Sequence, residues 1–140
     1  MKATFCGHSE VSHWNEVKKW LIETVEGLII QNVDTFLLGG YGDFDKLAAV
    51  VVWELKKKYP QIKSFLVLPY LNGKFDKSRY DGAIYTNLEK VPKPYAIIHR
   101  NRYMVDESDI VVAYVQRSWG GAAKTLEYAE KKNKRIIFYR

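Results

Sequence analysis

The sequence predicts an α/β fold, a three-layer sandwich whose helices cover both faces of a mostly parallel sheet of about five strands. Two observations predict it. Short apolar runs alternate along the 140 residues with longer segments of helical periodicity. The runs are apolar throughout, as strands buried on both faces are, and lack the apolar–polar alternation of a half-exposed sheet.

The elements follow in order. Ala3 to Cys6 reads as a first strand, broken by Gly7, His8 and Ser9. Trp14, Val17, Trp20, Leu21, Val25, Leu28 and Ile29 recur at helical spacing, with Ser9 or Ser12 placed to cap the helix. Thr35 to Leu38 is a second strand, closed by Gly39, Gly40, Tyr41 and Gly42. Leu47, Ala48, Val51, Val52 and Leu55 form the apolar face of a second helix, which runs out in Lys56 to Lys58 and cannot pass Pro60. Ser64 to Leu68 is a third strand. Tyr70 to Pro94 reads as an excursion: Asn72-Gly73 signals a turn, Ala83 to Tyr85 a short extra strand, and Pro92 and Pro94 a loop. Ile98, Arg102 and Val105 mark a helix from Tyr95 to near Ser108. Asp109 to Val115 is a strand, Gly121 to Asn133 a helix, and Arg135 to Tyr139 a last strand. No repeat, low-complexity tract or linker interrupts them, so residues 1–140 read as one domain.

A hydrophobic share of 47% suffices for a core. The net charge of +6 favours anionic partners such as nucleotides or nucleic acid, although surplus surface lysine also serves solubility alone. The single cysteine, Cys6, excludes an intrachain disulfide and fits a reducing compartment. No apolar run approaches the ~18 residues of a membrane span, and no signal-peptide pattern opens the chain. The expectation is a cytoplasmic protein with no membrane partner.

In open parallel sheets, ligands bind beyond the carboxyl ends of the strands. The loops there are Gly7 to Ser12, Gly39 to Asp45, Pro69 to Phe75 and Gln116 to Gly121. Gly7, Gly39, Gly40, Gly120 and Gly121 bring glycine to three of them. Glycine there turns the chain, or lets backbone N–H groups at a helix start approach a phosphate. Neither GxGxxG in a βαβ setting nor GxxxxGK[ST] is present. Glu127, within two helical turns of Gly120, either faces the crevice as acid, base or sugar-hydroxyl acceptor, or lies exposed and pairs with Lys124 or Lys131. Arg100 and Arg102 each offer a fork for phosphate. Asp43 is placed to cap the second helix, and Asp45 to bind a ribose hydroxyl. His8 faces the crevice. Trp119, in the glycine loop, offers a ring for a base, whereas Trp14, Trp20 and Trp53 fall on apolar helix faces as core. No Cys, His and carboxylate spacing suits a metal, no Ser-His-Asp elbow appears, and no cofactor is expected.

Four segments carry a resemblance: Phe5 to His8; Gly39 to Asp45 with Ala48 and Ala49; Arg100 to Asp109; and Gly120-Gly121 with Thr125 and Glu127. In these the chain resembles the SLOG superfamily, the Rossmann-like group that includes the LOG cytokinin-activating phosphoribohydrolases and the DNA-processing protein A fold. It is most similar to the small YpsA-like bacterial branch. The resemblance implies a nucleotide or nucleotide-derived ligand, ADP-ribose-like ones included, held over the glycine loops by a sensor or sequestering module. LOG enzymes carry PGGxGTxxE and an arginine four residues before a methionine. Gly120, Gly121 and Glu127 fall on that motif, and Arg100 stands four residues before Met104. By resemblance, Arg100 and Glu127 position the ribose and cleave the N-glycosidic bond of a nucleoside 5'-monophosphate.

Trp119 replaces the motif's proline, Ala123 its third glycine, and Lys124 its threonine, with Thr125 one residue late. These departures tell against catalysis more than against binding. The expected cradle is therefore Gly39, Gly40, Gly120, Gly121 and Thr125, lined by Gly7, His8, Asp45 and Trp119, with Arg100 and Glu127 on the ribose phosphate. A LOG-like phosphoribohydrolase is the alternative. A basic nucleic-acid-binding protein, by analogy with the DNA-processing relatives, is the third and least favoured, because the lysines are scattered. Related enzymes commonly pair, so the resemblance also leaves room for a homodimer.

Overall fold

Ten elements alternate along the chain in a computed structural model, which describes residues 1–71 and 75–140. They are β1 (Lys2–Gly7), α1 (Trp14–Ile30), β2 (Thr35–Leu38), α2 (Gly42–Leu55), β3 (Lys63–Leu68), β4 (Gly82–Tyr85), α3 (Lys93–Glu107), β5 (Ile110–Tyr114), α4 (Gly121–Lys131) and β6 (Arg135–Phe138). The Asn72-Gly73 turn signal lies outside the described residues.

Among the described residues the sheet has six strands in the order β4-β3-β2-β1-β5-β6, and every neighbouring pair is parallel. The Ala83 to Tyr85 segment is thus a full edge strand, registered from Phe65 opposite Gly82 to Leu68 opposite Tyr85. The chain walks outward from β1 to β4, then returns to lay β5 against the other side of β1. Helices α1 and α2 pack together over one face, where Phe5, Phe36, Val112 and Tyr114 meet Val17, Leu21, Phe44 and Val51. Cys6, Val111, Leu37 and Val67 turn to the other face, against Val105, Met104 and Ala129 of α3 and α4. Burial on both faces explains why the central strands read as continuous apolar runs. No helix among the described residues is long and apolar enough to cross a membrane.

Three local expectations are corrected. Neither Ser9 nor Ser12 caps α1: its N-cap is His13, held left-handed at φ 57°, with no side-chain cap. Pro92 and Pro94 open α3 rather than frame a loop, because the first helical turn needs no partner for a missing N–H. Trp14 is 44% exposed at the first residue of α1, outside the core.

Candidate ligand-binding crevice

The strand order reverses between β1 and β5, whose ends, Gly7 and Tyr114, stand side by side. Loops diverging from such a point leave an opening. Here it is a crevice of about 250 Å³. The loop after β1 supplies Gly7, His8 and Ser9, and the start of α2 supplies Tyr41, Gly42 and Asp45. Ile97, Arg100 and Asn101 come from α3, then Arg117, and Gly121, Ala122 and Thr125 from α4.

Arg100 is the largest fully buried side chain among the described residues. Its Nη1 donates to the carbonyls of Gly39 (2.8 Å) and Val67 (3.0 Å), and its Nε donates to Asn101 Oδ1 (2.9 Å). The guanidinium thereby ties α3 to the ends of β2 and β3. Nη2 carries no hydrogen bond among the described residues, and the side chain lines the crevice. Tyr41 lies against it, with the guanidinium carbon 5.4 Å from the ring centroid. Asp45 is the counter-charge. Its Oδ2 accepts from the Tyr41 N–H at 3.2 Å. A Cβ on Gly39 would stand 3.0 Å from Asp45 Oδ2 and 3.1 Å from Arg100 Cζ. Gly39 is therefore glycine so that this charged pair can close over the strand end.

Burial pushes the Asp45 carboxyl up from 3.8 to about 6, against the pull of Arg100 and the Tyr41 N–H. A folded value above the unfolded one means that the folded chain holds the extra proton between those limits. Asp45's contribution to stability is thus fullest below pH 3.8 and declines as pH rises through about 6, by about 3 kcal/mol at most. Urea unfolding of wild type and Asp45→Asn from pH 4 to 7 is expected to show wild type losing ground to the variant as pH rises. A constant difference would contradict the assignment.

The two helix starts bordering the crevice differ. At α2, the loop after β1 takes the leading N–H groups: Asp43 N donates to Ser9 O at 2.9 Å and Phe44 N to His8 O at 3.5 Å. Asp43 does not cap this helix; its carboxylate accepts from Val11 N at 3.1 Å instead. At α4, Gly120 is the N-cap with φ 95° and ψ 179°, a conformation open only to glycine, and no side chain caps the helix. Gly121 follows in helical conformation, and a Cβ built on it would meet nothing within 4 Å.

His8 is buried and stacks edge-on against Tyr114 at 5.6 Å. Its Nε2 accepts from Gln116 N at 2.9 Å, which makes it the neutral form with the proton on Nδ1. Burial, then the Arg117 charge, hold its pKa down. Cys6 donates to the Ala122 carbonyl at 3.1 Å, fastening β1 to the first turn of α4. Burial pushes this thiol up to about 12, so it offers no thiolate.

The structure thus brings Gly7, His8, Asp45, Arg100, Gly121 and Thr125 together. It does not bring in the rest of the expected set. Gly40 opens into a different cavity, and Gly39 sits beneath Asp45 and Arg100. Gly120 faces the Arg117 side chain, and Trp119 is 67% exposed with Arg117 stacked at 4.1 Å. Glu127 lies exposed in an outer cleft between α3 and α4, which Gly121 and Thr125 also line, and pairs with Lys131 at 3.4 Å. Arg102 turns to the same outer cleft, over the Tyr128 ring at 5.1 Å. Thr125 donates its hydroxyl to Gly121 O at 3.0 Å. Sequence reasoning passed over Arg117, Asn101 and Tyr41. Each carried a signal: Arg117 as a cation within the Gln116 to Gly121 loop, and Tyr41 and Asn101 as members of the Gly39 to Asp45 and Arg100 to Asp109 segments.

A parallel sheet with a crevice at its switch point defines a Rossmann-like α/β protein. A model of the YspA SLOG family (YpsA) matches residues 8–138, and the chain belongs to that family. Among relatives, the SPbeta prophage-derived protein YoqJ of Bacillus subtilis is 29% identical over 139 residues, covering 83% of this chain and 81% of its own. A UPF0398 protein of Lysinibacillus sphaericus is 23% identical over 128 residues, covering 82% and 72%. Two solved structures share the fold at 16% identity. DNA processing protein A from Helicobacter pylori, described with its single-stranded DNA binding mode, superposes with a TM-score of 0.70 over 99% of this chain and 64% of that one. The Streptococcus pneumoniae protein gives 0.72 over 98% and 49%. The chain therefore spans less than two thirds of either solved protein.

Proposed function

We propose that the crevice holds the phosphate-bearing end of a nucleotide or nucleotide-derived ligand, binding it without turnover. Gly121 carries this reading. Every other glycine around the crevice has a reason inside the fold: a ring against Gly7, a charged pair against Gly39, a positive φ at Gly42 and Gly120. Gly121 has none, and its missing side chain leaves the uncapped start of α4 open to an anion. Arg117 and the free Nη2 of Arg100 add charge on the same walls. A volume of about 250 Å³ suits a phosphate and sugar, with the rest of the ligand outside.

Hydrolysis in the LOG manner draws less support. It needs a carboxylate beside the arginine, and Glu127 is exposed and engaged with Lys131. Asp45 is buried, with its oxygen turned to a backbone N–H.

Calorimetric titration with AMP, ADP-ribose and a short oligothymidylate, on wild type and Gly121→Ala, tests the reading. The oligonucleotide is included because the Helicobacter pylori protein binds single-stranded DNA. Gly121→Ala should unfold within about 0.5 kcal/mol of wild type. It should weaken the bound nucleotide by about tenfold or more, roughly 1.4 kcal/mol. Unchanged affinity would return Gly121 to a turn residue. Release of free base from AMP would revive the hydrolase.

A further inference from the structure

A second cavity, of about 500 Å³, lies on the far side of the Gly39–Gly42 turn from the crevice. Its inner end is Gly40, whose φ is 71° and whose Cβ would strike Leu66 Cδ1 at 2.7 Å. Leu66 of β3 with Ala49 and Val50 of α2 make an apolar floor. The segment from Phe75 to Tyr80 makes the outer wall and presents both of those rings.

That wall is built rather than loose. The Asp81 carboxylate accepts from Ser64 N at 2.8 Å and from Lys56 Nζ, and Asp81 N donates to Ser64 O at 2.9 Å. Ser78 donates its N–H and hydroxyl to Asp76 at 3.0 and 2.6 Å; these bonds and the Arg79 charge hold the Asp76 pKa down, so the cavity keeps one ionised carboxylate on its wall. At the far end the Phe75 ring lies 6.2 Å from that of Tyr70. Two cations, Lys46 and Arg79, stand on the cavity's walls and enter no ion pair among the described residues. The Tyr80 hydroxyl sits 3.9 Å from where a Gly40 Cβ would be and carries no hydrogen bond among the described residues.

Apolar floor, ring walls and two cations against one carboxylate at one opening are the complement of one kind of molecule. We propose that this cavity is a binding site for a planar ring carrying a compact anion, such as an aryl phosphate, separate from the crevice. The ring lies on Leu66, Ala49 and Val50 between Phe75 and Tyr80. The anion meets Lys46 and Arg79, and the Tyr80 hydroxyl reaches its oxygen. The site does not depend on the crevice holding a nucleotide, since no residue lines both openings, which adjoin at the Gly39–Gly42 turn and along α2.

The test is calorimetry with 1-naphthyl phosphate, against 1-naphthol and inorganic phosphate as half-ligands. Wild type is compared with Lys46→Ala/Arg79→Ala, Lys46→Glu/Arg79→Glu and Gly121→Ala, the last alone and with each pair. Both cations are exposed, so the variants should fold, and their Tm values check this. The inference expects 1-naphthyl phosphate to bind better than either half-ligand. It expects a loss of at least about tenfold in the alanine pair and a greater loss in the glutamate pair, on the wild-type and the Gly121→Ala background alike. No binding, unchanged affinity in both cation pairs, or a loss confined to Gly121→Ala would overturn it.

Discussion

Arg100→Met is expected to destabilise the protein by about 3–5 kcal/mol, because three acceptors around the buried guanidinium lose their donor at about 1–3 kcal/mol each at most. For a chain of this size that is a fall of roughly 10–20 °C in Tm. Methionine fills the volume but donates nothing. The Gly39 and Val67 carbonyls and the Asn101 side chain each lose a hydrogen bond, and Asp45 loses its counter-charge. Arg100→Lys should recover only part of the loss, because one ammonium cannot reproduce a planar fork aimed at two carbonyls and an amide. Asp45 should take up a proton near neutral pH in the methionine variant, which limits the damage. Thermal unfolding at pH 7 reads the effect, and a fall of under about 3 °C would show that Arg100 is not the tie between α3 and the sheet.

Gly42→Ala should be nearly as costly, at about 2–5 kcal/mol. The left-handed conformation at φ 76° accounts for about 1–2 of this. The rest is overpacking, because the new Cβ would stand 2.6 Å from the backbone Cα of Ser9, which no side-chain rotation relieves. The damage should also reach the crevice. Ser9 O accepts from Asp43 N, and the Asp43 carboxylate accepts from Val11 N, so displacing Ser9 moves the whole loop after β1. Gly27→Ala is the matching control. It sits within α1 with nothing within 4 Å of its Cβ, and should gain up to about 1 kcal/mol. Equal effects at the two sites in urea unfolding would contradict this account of Gly42.

The parts of the fold that the sequence foretells are those with two-sided burial. Phe36, Leu37 and Leu38 face opposite helix layers and are all buried, so no alternation is needed for the segment to read as a strand. β4 falls short for the opposite reason. Its residues are only half-buried at the sheet edge, and Gly82 opens it. The start of α3 was hidden because proline signals a break in general and a helix start in particular, and only the phase of the chain decides.

The same ambiguity governed the site. Gly39 and Gly40 look alike in sequence, yet one lies under a charged pair and the other under Leu66. Glu127 turned on helix phase. Gly121 and Thr125, four residues apart on one face, line both the crevice and the outer cleft, while Glu127, six residues on from Gly121, lines the outer cleft alone, beside Lys131. Which glutamate rotation holds depends on where α4 begins, and that is fixed by Gly120, whose conformation no residue pattern reveals.

In the proposed reading, the N–H groups at the uncapped start of α4 receive the ligand's phosphate. The most direct measurement is the backbone amide NMR spectrum of the nitrogen-15-labelled protein, recorded as ADP-ribose is added. The Gly121 and Ala122 amide protons are expected to move downfield with saturating ligand, as hydrogen bonds to phosphate form, and Gly121→Ala is expected to remove the response. Saturable shifts confined to other surfaces, with those two amides unmoved, would contradict it.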